Sequence, residues 1–295
     1  MSTLVGGGLW DNMNNQSSIR FALTVATQEA LPSAFVVYRL PFAAVLPKIE
    51  QLGYDGVELA LLDRSQIEMM ELKHLLADTR LSIPMVSTGQ VFAAGKCSFA
   101  SREPEVRRRA EQLFEGLIDV AAELGAFINV GRVRGCVEQN GSRSDVEARV
   151  AESLYHLSEK AEHAGISIVL EPVNRYEVDF LNSCEEAVDF LDRYGLDRIK
   201  IMPDLFHMNI EEASIEGSLM KWIDRIAYIH FADSNRHFPG DGHLDFSKII
   251  TTLRAIEYKG WIGVEILPYP DPDSAALADT HHLRRFASLH LIRSM

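Results

Sequence analysis

Three short stretches decide the fold of this chain: SIVLEP at 167–172, YIHFAD at 228–233 and IGVEIL at 262–267. Each is a nearly continuous run of apolar residues, which is typical of strands buried on both faces of a parallel sheet. Each run also carries an ionisable residue near its end. The pattern predicts an α/β protein in which polar side chains gather at the carboxyl edge of a parallel sheet.

Runs of the same kind recur along the chain and alternate with amphipathic segments. The helical periodicity of 105–124, 144–164 and 184–194 predicts helices there. Eight βα units close naturally into a (β/α)8 TIM barrel, whereas a doubly wound open sheet is disfavoured because no GxGxxG motif follows the first run. The predicted strands are 20–26, 56–61, 82–88, 126–131, 166–171, 199–204, 226–232 and 261–267.

The length of the chain fits a single barrel domain. The first 18 residues are rich in Gly, Asn and Ser and lack the basic and apolar regions of a signal peptide, so we expect a flexible N-terminal extension at 1–18. The remaining 277 residues, 19–295, allow about 35 residues per unit, close to the share in a barrel of about 250 residues. We therefore predict one (β/α)8 catalytic domain.

Composition excludes several classes of function. The chain carries 29 Lys and Arg against 42 Asp and Glu, a net charge of −13, which opposes binding to nucleic acid or to an anionic membrane surface. No apolar run approaches the roughly 20 residues of a membrane span. Three cysteines without CxxC spacing predict reduced thiols and a cytoplasmic protein.

Four ionisable residues follow one another at the ends of the last four predicted strands: Glu171, Asp204, His230 and Glu265. Barrel enzymes build their active sites at the C-terminal ends of the strands, and the spacings of 33, 26 and 35 residues each span one βα unit. Three carboxylates and one imidazole suit Mn²⁺, Mg²⁺ or Co²⁺ better than Zn²⁺. We predict one divalent metal ion, Mn²⁺ by preference, whose open positions accept substrate oxygens.

The residues around these positions resemble the motifs of the keto-sugar 3-epimerases, the D-tagatose/D-psicose 3-epimerase branch of the xylose-isomerase-like TIM barrels. The resemblance extends over about residues 20–270 and is carried by EPVNRYE at 171–177, DLFHMNIEE at 204–212, HFADSNR at 230–236 and VE at 264–265. Within the group, the chain is most similar to the 5-keto-L-gluconate epimerase type, which handles keto-sugar acids, in TGQ at 88–90, VRG at 133–135 and ADSNR at 232–236.

The resemblance implies a role for each site residue. The four residues named above would hold the metal, and two of them, Glu171 and Glu265, would also be the catalytic acid/base pair. Glu177, His207 and Arg236 would contact oxygens of a small-molecule keto-sugar. Relatives are generally dimers or tetramers, so the resemblance also implies a homo-oligomer.

Two departures from the family pattern leave the substrate open. Leu205 stands where many relatives have Thr, and Asp233 stands where the ketohexose epimerases usually have Glu. Arg134, in GRVRG at 131–135, is our candidate for binding a substrate carboxylate through its guanidinium, with Arg132 as the weaker candidate. Glu58 lies within a predicted strand and either points into the site or caps a helix.

The chemistry of epimerisation accounts for these residue types. Inversion of a carbon beside a ketone requires removal of a weakly acidic C–H proton, and a metal bound to the carbonyl and the adjacent hydroxyl stabilises the enediolate that forms. One Glu then takes the proton from one face while the other delivers a proton to the opposite face.

Other functions remain open or are disfavoured. The same site would also serve an aldose–ketose or hydroxypyruvate-type isomerase, or a decarboxylase of a β-keto sugar acid. A DNA-repair endonuclease of this barrel type would need additional His at strand ends, where this chain has TGQ at 88–90 and GR at 131–132. A non-catalytic sugar-binding protein would not need two glutamates on the metal.

Overall fold

A computed structural model of the chain describes residues 19–288. The predicted extension at 1–18 lies outside these residues. Nine parallel strands form one sheet within the described range. They are β1 (Arg20–Ala26), β2 (Tyr38–Arg39), β3 (Gly56–Ala60), β4 (Ser82–Ser87), β5 (Phe127–Val130), β6 (Ile168–Leu170), β7 (Lys200–Ile201), β8 (Tyr228–Phe231) and β9 (Trp261–Val264).

Eight of these strands form the wall of a barrel. Their order around the sheet is β7-β6-β5-β4-β3-β1-β9-β8, and the short β2 pairs with the end of β1. Two isolated parallel bridges, from Ile201 to Ile226 and from Asp204 to His230, join β7 to β8 across the remaining gap. The predicted (β/α)8 fold is confirmed, and each predicted run contains one of the eight wall strands. The sequence pattern did not predict β2.

Seven of the eight wall strands are shorter than predicted, and β6 and β7 are the shortest of them. β6 stops one residue early, and β7 has only two residues in the ladder. Pro172 and Pro203 follow these strands, and proline has no backbone N–H to donate to a neighbouring strand. Regular pairing therefore ends there, and Glu171 and Asp204 lie just beyond the last ladder residues.

Ten α-helices are present among the described residues, and most of them follow a strand. The three predicted helices are confirmed, with ends that differ by at most one residue. Gly53 and Gly125 end two helices with φ of 89° and 66°, a left-handed conformation that glycine adopts without strain. The helices are α1 (Phe42–Leu52), α2 (Met69–Ala77), α3 (Gly89–Ala93), α4 (Pro104–Leu124), α5 (Arg143–His163), α6 (Cys184–Arg193), α7 (Leu205–Glu211), α8 (Ile215–Trp222), α9 (Phe246–Ala255) and α10 (Pro272–Ser288).

Side chains alternate along the strands between an outer core under the helices and the barrel interior. Because this alternation has period 2, a residue two positions after an interior residue faces the same space. Three residues lie two positions after an interior residue and face the interior: Glu171 after Val169, Asp204 after Met202 and His230 after Tyr228. The interior is therefore apolar at one end and polar at the carboxyl end of the strands. The apolar layer consists of Ala22, Met85, Val169, Met202, Tyr228 and Trp261.

Two expectations from composition concern thiols and membrane spans. Cys97, Cys136 and Cys184 are unpaired, as predicted. Across residues 19–288, we find no helix that is both long and apolar enough to cross a membrane.

Candidate metal and substrate site

The structure brings Glu171, Asp204, His230 and Glu265 together at the carboxyl end of the barrel. They lie on or just after four successive strands, β6 to β9. One ligand atom from each lies within 4.8 Å of the other three. Nδ1 of His230 lies 3.6 Å from Oε1 of Glu171 and 3.9 Å from both Oδ2 of Asp204 and Oε2 of Glu265. Four donor atoms this close together form a candidate metal centre.

Two of these donor atoms make no well-directed hydrogen bond among the described residues, although the one on Asp204 lies 2.9 Å from Nη1 of Arg236. They are Oδ2 of Asp204 and Nδ1 of His230, and both side chains are fully buried. A buried polar atom without a partner costs about 1–3 kcal/mol, so such atoms are normally satisfied by something. One divalent cation would accept both lone pairs, and three carboxylates with one imidazole suit a hard or borderline ion. The residues present therefore fit a metal ion.

Glu171 is held by residues of the neighbouring strand. Its backbone N–H donates to the carbonyl of Val130 (3.0 Å), and Asn129 donates from Nδ2 to its Oε2 (3.1 Å). Gly131 leaves room for this carboxylate, because a Cβ there would lie 2.5 Å from Oε2. These contacts hold one carboxylate oxygen and leave Oε1 on the side of His230.

The start of α7 positions two side chains of the site, Asp204 of the cluster and His207. Oδ1 of Asp204 caps the helix by accepting the N–H of Phe206 (2.8 Å), which leaves Oδ2 for the cluster. His207 lies one turn later, with Nε2 3.9 Å from that Oδ2 and 3.8 Å from Oε1 of Glu171. Asn174 donates from Nδ2 to Nδ1 of His207 (2.7 Å), so the ring proton lies on Nε2. Burial lowers the pKa of His207, so the neutral ring presents an N–H donor to the cluster.

Arg236 is a buried cation beside the cluster. Its Nη1 lies 2.9 Å from Oδ2 of Asp204, and its Nη2 contacts Oε2 of Glu265. The guanidinium lies 4.6 Å from the ring centroid of Phe35 and 4.8 Å from that of Phe206. Burial alone would lower the pKa of Arg236, but the nearby carboxylates raise it above its ordinary value. A permanent positive charge therefore stands next to two cluster carboxylates.

Asp233 shapes the loop that presents Arg236. Its carboxylate accepts backbone N–H groups of Ser234 (2.7 Å), Gly240 (2.8 Å) and Leu244 (3.1 Å). Arg236 itself adopts a left-handed backbone, with φ of 64°. The residue that departs from the ketohexose epimerase pattern is therefore fully buried inside the loop, where it fixes the loop conformation.

Glu177 and Arg132 lie at the rim of the site. Nη1 of Arg132 lies 3.6 Å from Oε2 of Glu177, and its guanidinium stands 5.8 Å from the ring centroid of Phe35. Asn174 donates to Oε1 of Glu177 (3.1 Å) as well as to Nδ1 of His207, so it links this carboxylate to a side chain beside the cluster. Arg132 and Glu265 both line one small, open cavity. The cavity therefore reaches from Glu265 of the cluster to the guanidinium of Arg132.

Arg134 does not reach the cavity, and its expected role as a substrate contact is corrected. The side chain is fully buried, and burial lowers the pKa of Arg134 to about 10, so it stays charged at neutral pH. Its guanidinium donates four hydrogen bonds of 2.7–3.2 Å to the carbonyls of Gly131, Glu171, Phe180 and Leu181. These backbone contacts make Arg134 a structural residue, and Arg132 is the arginine of this motif that lines the cavity.

The two glutamates of the cluster have different electrostatic environments. Burial raises the pKa of Glu171, but the contact with His230 and the charges of His207 and Arg236 outweigh it and hold the pKa below its ordinary value. Burial raises the pKa of Glu265 above its ordinary value, because Arg236 and His230 oppose it only in part. The cluster therefore contains one carboxylate whose ionised form is favoured and one whose protonated form is favoured.

Sequence reasoning missed Asn129, Asn174 and Phe35, and it left Glu58 undecided. Asn129 could have been found, because it lies two positions after an interior residue of β5, as cluster residues do on their own strands. Asn174 lies inside the EPVNRYE motif, and its place there is the signal that could have identified it. Phe35 has no local signal, because only the folded path of the segment between β1 and α1 places it over Arg236.

Comparisons with known proteins agree with the barrel fold. The profile of the xylose isomerase-like TIM barrel family matches residues 46–286. A D-psicose 3-epimerase from Enterocloster bolteae is 33% identical over 226 residues, which cover 73% of this chain and 73% of the relative. A 3-dehydro-D-guloside 4-epimerase from Escherichia coli is 29% identical over 226 residues, covering 74% of this chain and 84% of the relative. A crystal structure of a D-allulose 3-epimerase from Methylomonas sp. in complex with D-allulose has a TM-score of 0.75 and 25% identity, over 91% of this chain and 99% of that one.

Proposed function

Because the chain belongs to the xylose isomerase-like TIM barrel family, we propose that it is a divalent-metal-dependent epimerase that inverts the carbon next to the ketone of a ketose or keto-sugar acid. The observation that carries the proposal is the pair Glu171 and Glu265 at the two ends of the row of cluster residues, with Asp204 and His230 between them. Two carboxylates in one site are what removal and return of a proton on opposite faces require.

The cluster is proposed to hold one divalent cation, Mn²⁺ by preference and Mg²⁺, Co²⁺ or Zn²⁺ as alternatives. The four ligands would be Glu171, Asp204, His230 and Glu265. Bound there, the cation would polarise the substrate ketone and neutralise the charge that develops when the neighbouring C–H proton leaves.

The two glutamates would move the protons. One carboxylate takes the proton from the carbon next to the ketone, and the other, in its protonated form, returns one from the opposite side. Each positioned acid or base contributes about 10²–10⁴-fold to such a step. Because the reaction is reversible, Glu171 and Glu265 exchange roles with its direction. Arg236 contacts Glu265 and stabilises that carboxylate in its ionised state.

Four side chains are proposed to bind the substrate. His207 offers Nε2–H to a substrate oxygen near the cluster, and Glu177 accepts hydrogen bonds from hydroxyl groups. Arg236 contributes its buried charge beside the cluster. Arg132 lines the cavity away from the cluster, where a guanidinium suits a carboxylate or a hydroxyl at the far end of the sugar.

A substrate panel in D₂O tests the reaction. Protein loaded with Mn²⁺ is incubated with ketoses, keto-sugar acids and their phosphates, and products are read by NMR. We expect an epimer that carries deuterium at the inverted carbon. An aldose product would identify an isomerase instead, and release of CO₂ would identify a decarboxylase. A bound metal without proton exchange on any keto-sugar would identify a sugar-binding protein.

Glutamine variants test the acid/base pair. Glu171→Gln and Glu265→Gln are each expected to lower kcat by at least about 10²-fold while circular dichroism stays unchanged. Glu147→Gln is the matched control, because Glu147 is as buried as Glu171 but lies on α5, where it pairs with Arg143 and Arg193. Full turnover by Glu265→Gln, or activity that persists after verified removal of the metal, contradicts the proposal.

We further propose a cytoplasmic homo-oligomer, a dimer or tetramer. The family resemblance supports the assembly, and the unpaired thiols of Cys97, Cys136 and Cys184 agree with a reducing compartment. Light scattering coupled to size-exclusion chromatography measures the assembly, and a monomeric mass at micromolar concentration contradicts it.

A further inference from the structure

Glu58 lies inside the barrel and contacts a proposed metal ligand from the side opposite the cluster. Its two carboxylate oxygens lie 3.1 and 3.0 Å from Nε2 of His230. Oε2 also accepts a hydrogen bond from the hydroxyl of Tyr228 (3.1 Å). All three side chains are fully buried. The contact crosses the barrel interior, because β3 and β8 are separated in the sheet by β1 and β9.

Gly263 on β9 leaves the space that this contact needs. It pairs with His230 across the ladder between β8 and β9. A Cβ at this position would lie 2.6 Å from Oε2 of Glu58, 2.7 Å from Cε1 of Tyr228 and 2.9 Å from Cδ2 of His230. These distances are shorter than van der Waals contact, so any side chain at Gly263 would push Glu58 and His230 apart.

The contact decides which nitrogen of His230 faces the cluster as a lone pair. A carboxylate accepts hydrogen bonds, so Nε2 carries a proton and Nδ1 is the nitrogen available to a cation. Nδ1 is the buried atom that lacks a hydrogen-bond partner within residues 19–288. The edge of the ring also packs against Tyr228, with centroids 5.8 Å apart and planes at 80°, which restricts rotation of the imidazole.

We propose that Glu58 is a positioning residue for metal binding, which holds His230 in the orientation and tautomer that present Nδ1 to the cation. A carboxylate behind a ligating histidine fixes the ring and raises its basicity, and loss of such a partner typically lowers metal affinity about 10–100-fold. Glu58 itself touches neither cation nor substrate. The inference rests on the metal site proposed above and extends it by one residue.

A purely structural role for Glu58 makes a different prediction. If the pair only stabilised the barrel, its loss would lower the free energy of unfolding and leave the metal affinity of the folded protein unchanged. The metal affinity, measured separately from stability, therefore distinguishes the two roles.

Two variants weaken the contact in different ways. Glu58→Gln keeps the shape of the side chain but offers one acceptor oxygen to two donors, the ring of His230 and the hydroxyl of Tyr228. Gly263→Ala keeps both partners and displaces them. Glu147→Gln serves again as the control, a buried glutamate whose ion pairs lie within α5 and between α5 and α6.

Isothermal titration calorimetry with Mn²⁺ measures the effect on each folded protein. We expect the dissociation constant to rise about 10–100-fold in Glu58→Gln and in Gly263→Ala, and to stay at the wild-type value in Glu147→Gln. Wild-type affinity in both site variants overturns the role of Glu58 and leaves the metal site standing. Failure of the wild-type protein to bind Mn²⁺, Mg²⁺, Co²⁺ or Zn²⁺ overturns the metal site itself.

A measurement on the wild-type protein covers the case in which neither variant folds. Histidine labelled with ¹⁵N, in protein loaded with diamagnetic Zn²⁺ or Mg²⁺, reports the tautomer of each ring in a long-range ¹H–¹⁵N spectrum. We expect one histidine with a proton on Nε2 and a metal-shifted Nδ1. A spectrum in which His230 carries its proton on Nδ1 overturns the proposal.

Discussion

Replacing Asp279 by Asn is expected to remove a strong pH dependence from the stability of this protein. Asp279 lies on α10 and is fully buried outside the site. Its Oδ2 accepts the hydroxyl of Tyr54 (2.6 Å), whereas its Oδ1 has no hydrogen-bond partner within the described part of the chain. Burial raises the pKa of Asp279 to about 7, although the hydrogen bond from Tyr54 opposes the shift.

The sign and size of the effect follow from this raised pKa. In the unfolded chain the carboxyl has its ordinary pKa of about 3.9. Between about pH 4 and pH 7 the folded state holds a proton that the unfolded state has lost, so stability falls as the pH rises through this window. A difference of about three pKa units corresponds to about 4 kcal/mol, of which about 3 kcal/mol falls between pH 5 and pH 8.

Urea unfolding at pH 5, 6, 7 and 8 measures this contribution in the wild-type protein and in Asp279→Asn. From pH 5 to pH 8 the wild-type protein should lose about 3 kcal/mol of stability that the variant does not lose, because the amide does not titrate. The free energy of unfolding of the variant minus that of wild type should therefore rise by about 3 kcal/mol. At pH 5 the variant should be the less stable protein, since its buried NH₂ group lacks an acceptor at a cost of about 1–3 kcal/mol. Asp189→Asn, an exposed aspartate on α6, is the control. If the difference between variant and wild type stays constant from pH 5 to pH 8, the pKa of Asp279 is not raised in the folded protein.

Three further substitutions test the site. Gly131→Ala places a Cβ 2.5 Å from Oε2 of Glu171, and we expect calorimetry to show a Mn²⁺ affinity at least about tenfold weaker, with the fold retained in circular dichroism. Arg134→Met removes the guanidinium that donates to four buried carbonyls, so urea unfolding should show a free energy of unfolding lower by about 4 kcal/mol. Unchanged stability with a raised KM would instead make Arg134 a substrate residue. Arg132→Leu should raise KM about 10–100-fold for keto-sugar acids and little for neutral ketoses, and an equal effect on both classes argues against carboxylate recognition.

The four cluster residues could be predicted from the sequence because their placement depends on local rules. Each lies at the end of a buried strand run, and a closed parallel sheet brings all such ends to one face. Alternation of side chains along a strand then turns Glu171, Asp204 and His230 toward the barrel interior. Helical periodicity likewise placed α4, α5 and α6 to within one residue.

The two arginines of GRVRG have different roles that local sequence patterns could not assign. Arg132 and Arg134 lie two residues apart in one short 3₁₀ turn, and the sequence favoured Arg134, the wrong one of the two, as the substrate contact. The fold brings the carbonyls of Phe180 and Leu181, from the segment after β6, within reach of Arg134 only. Packing between two βα units therefore made one arginine structural and left the other at the cavity.

The amino-acid sequence alone predicts the eight barrel strands and the candidate metal ligands, because hydrophobic periodicity depends on a few neighbouring residues. The contacts that cross the barrel need the folded structure: Glu58 meets His230 from a strand 172 residues away in the chain, and the ring of Phe35 lies over the guanidinium of Arg236. Such contacts depend on closure of the sheet, on side-chain reach and on the missing Cβ of Gly263. None of these quantities is encoded in the residues next to Glu58, so no local pattern could have predicted its partner.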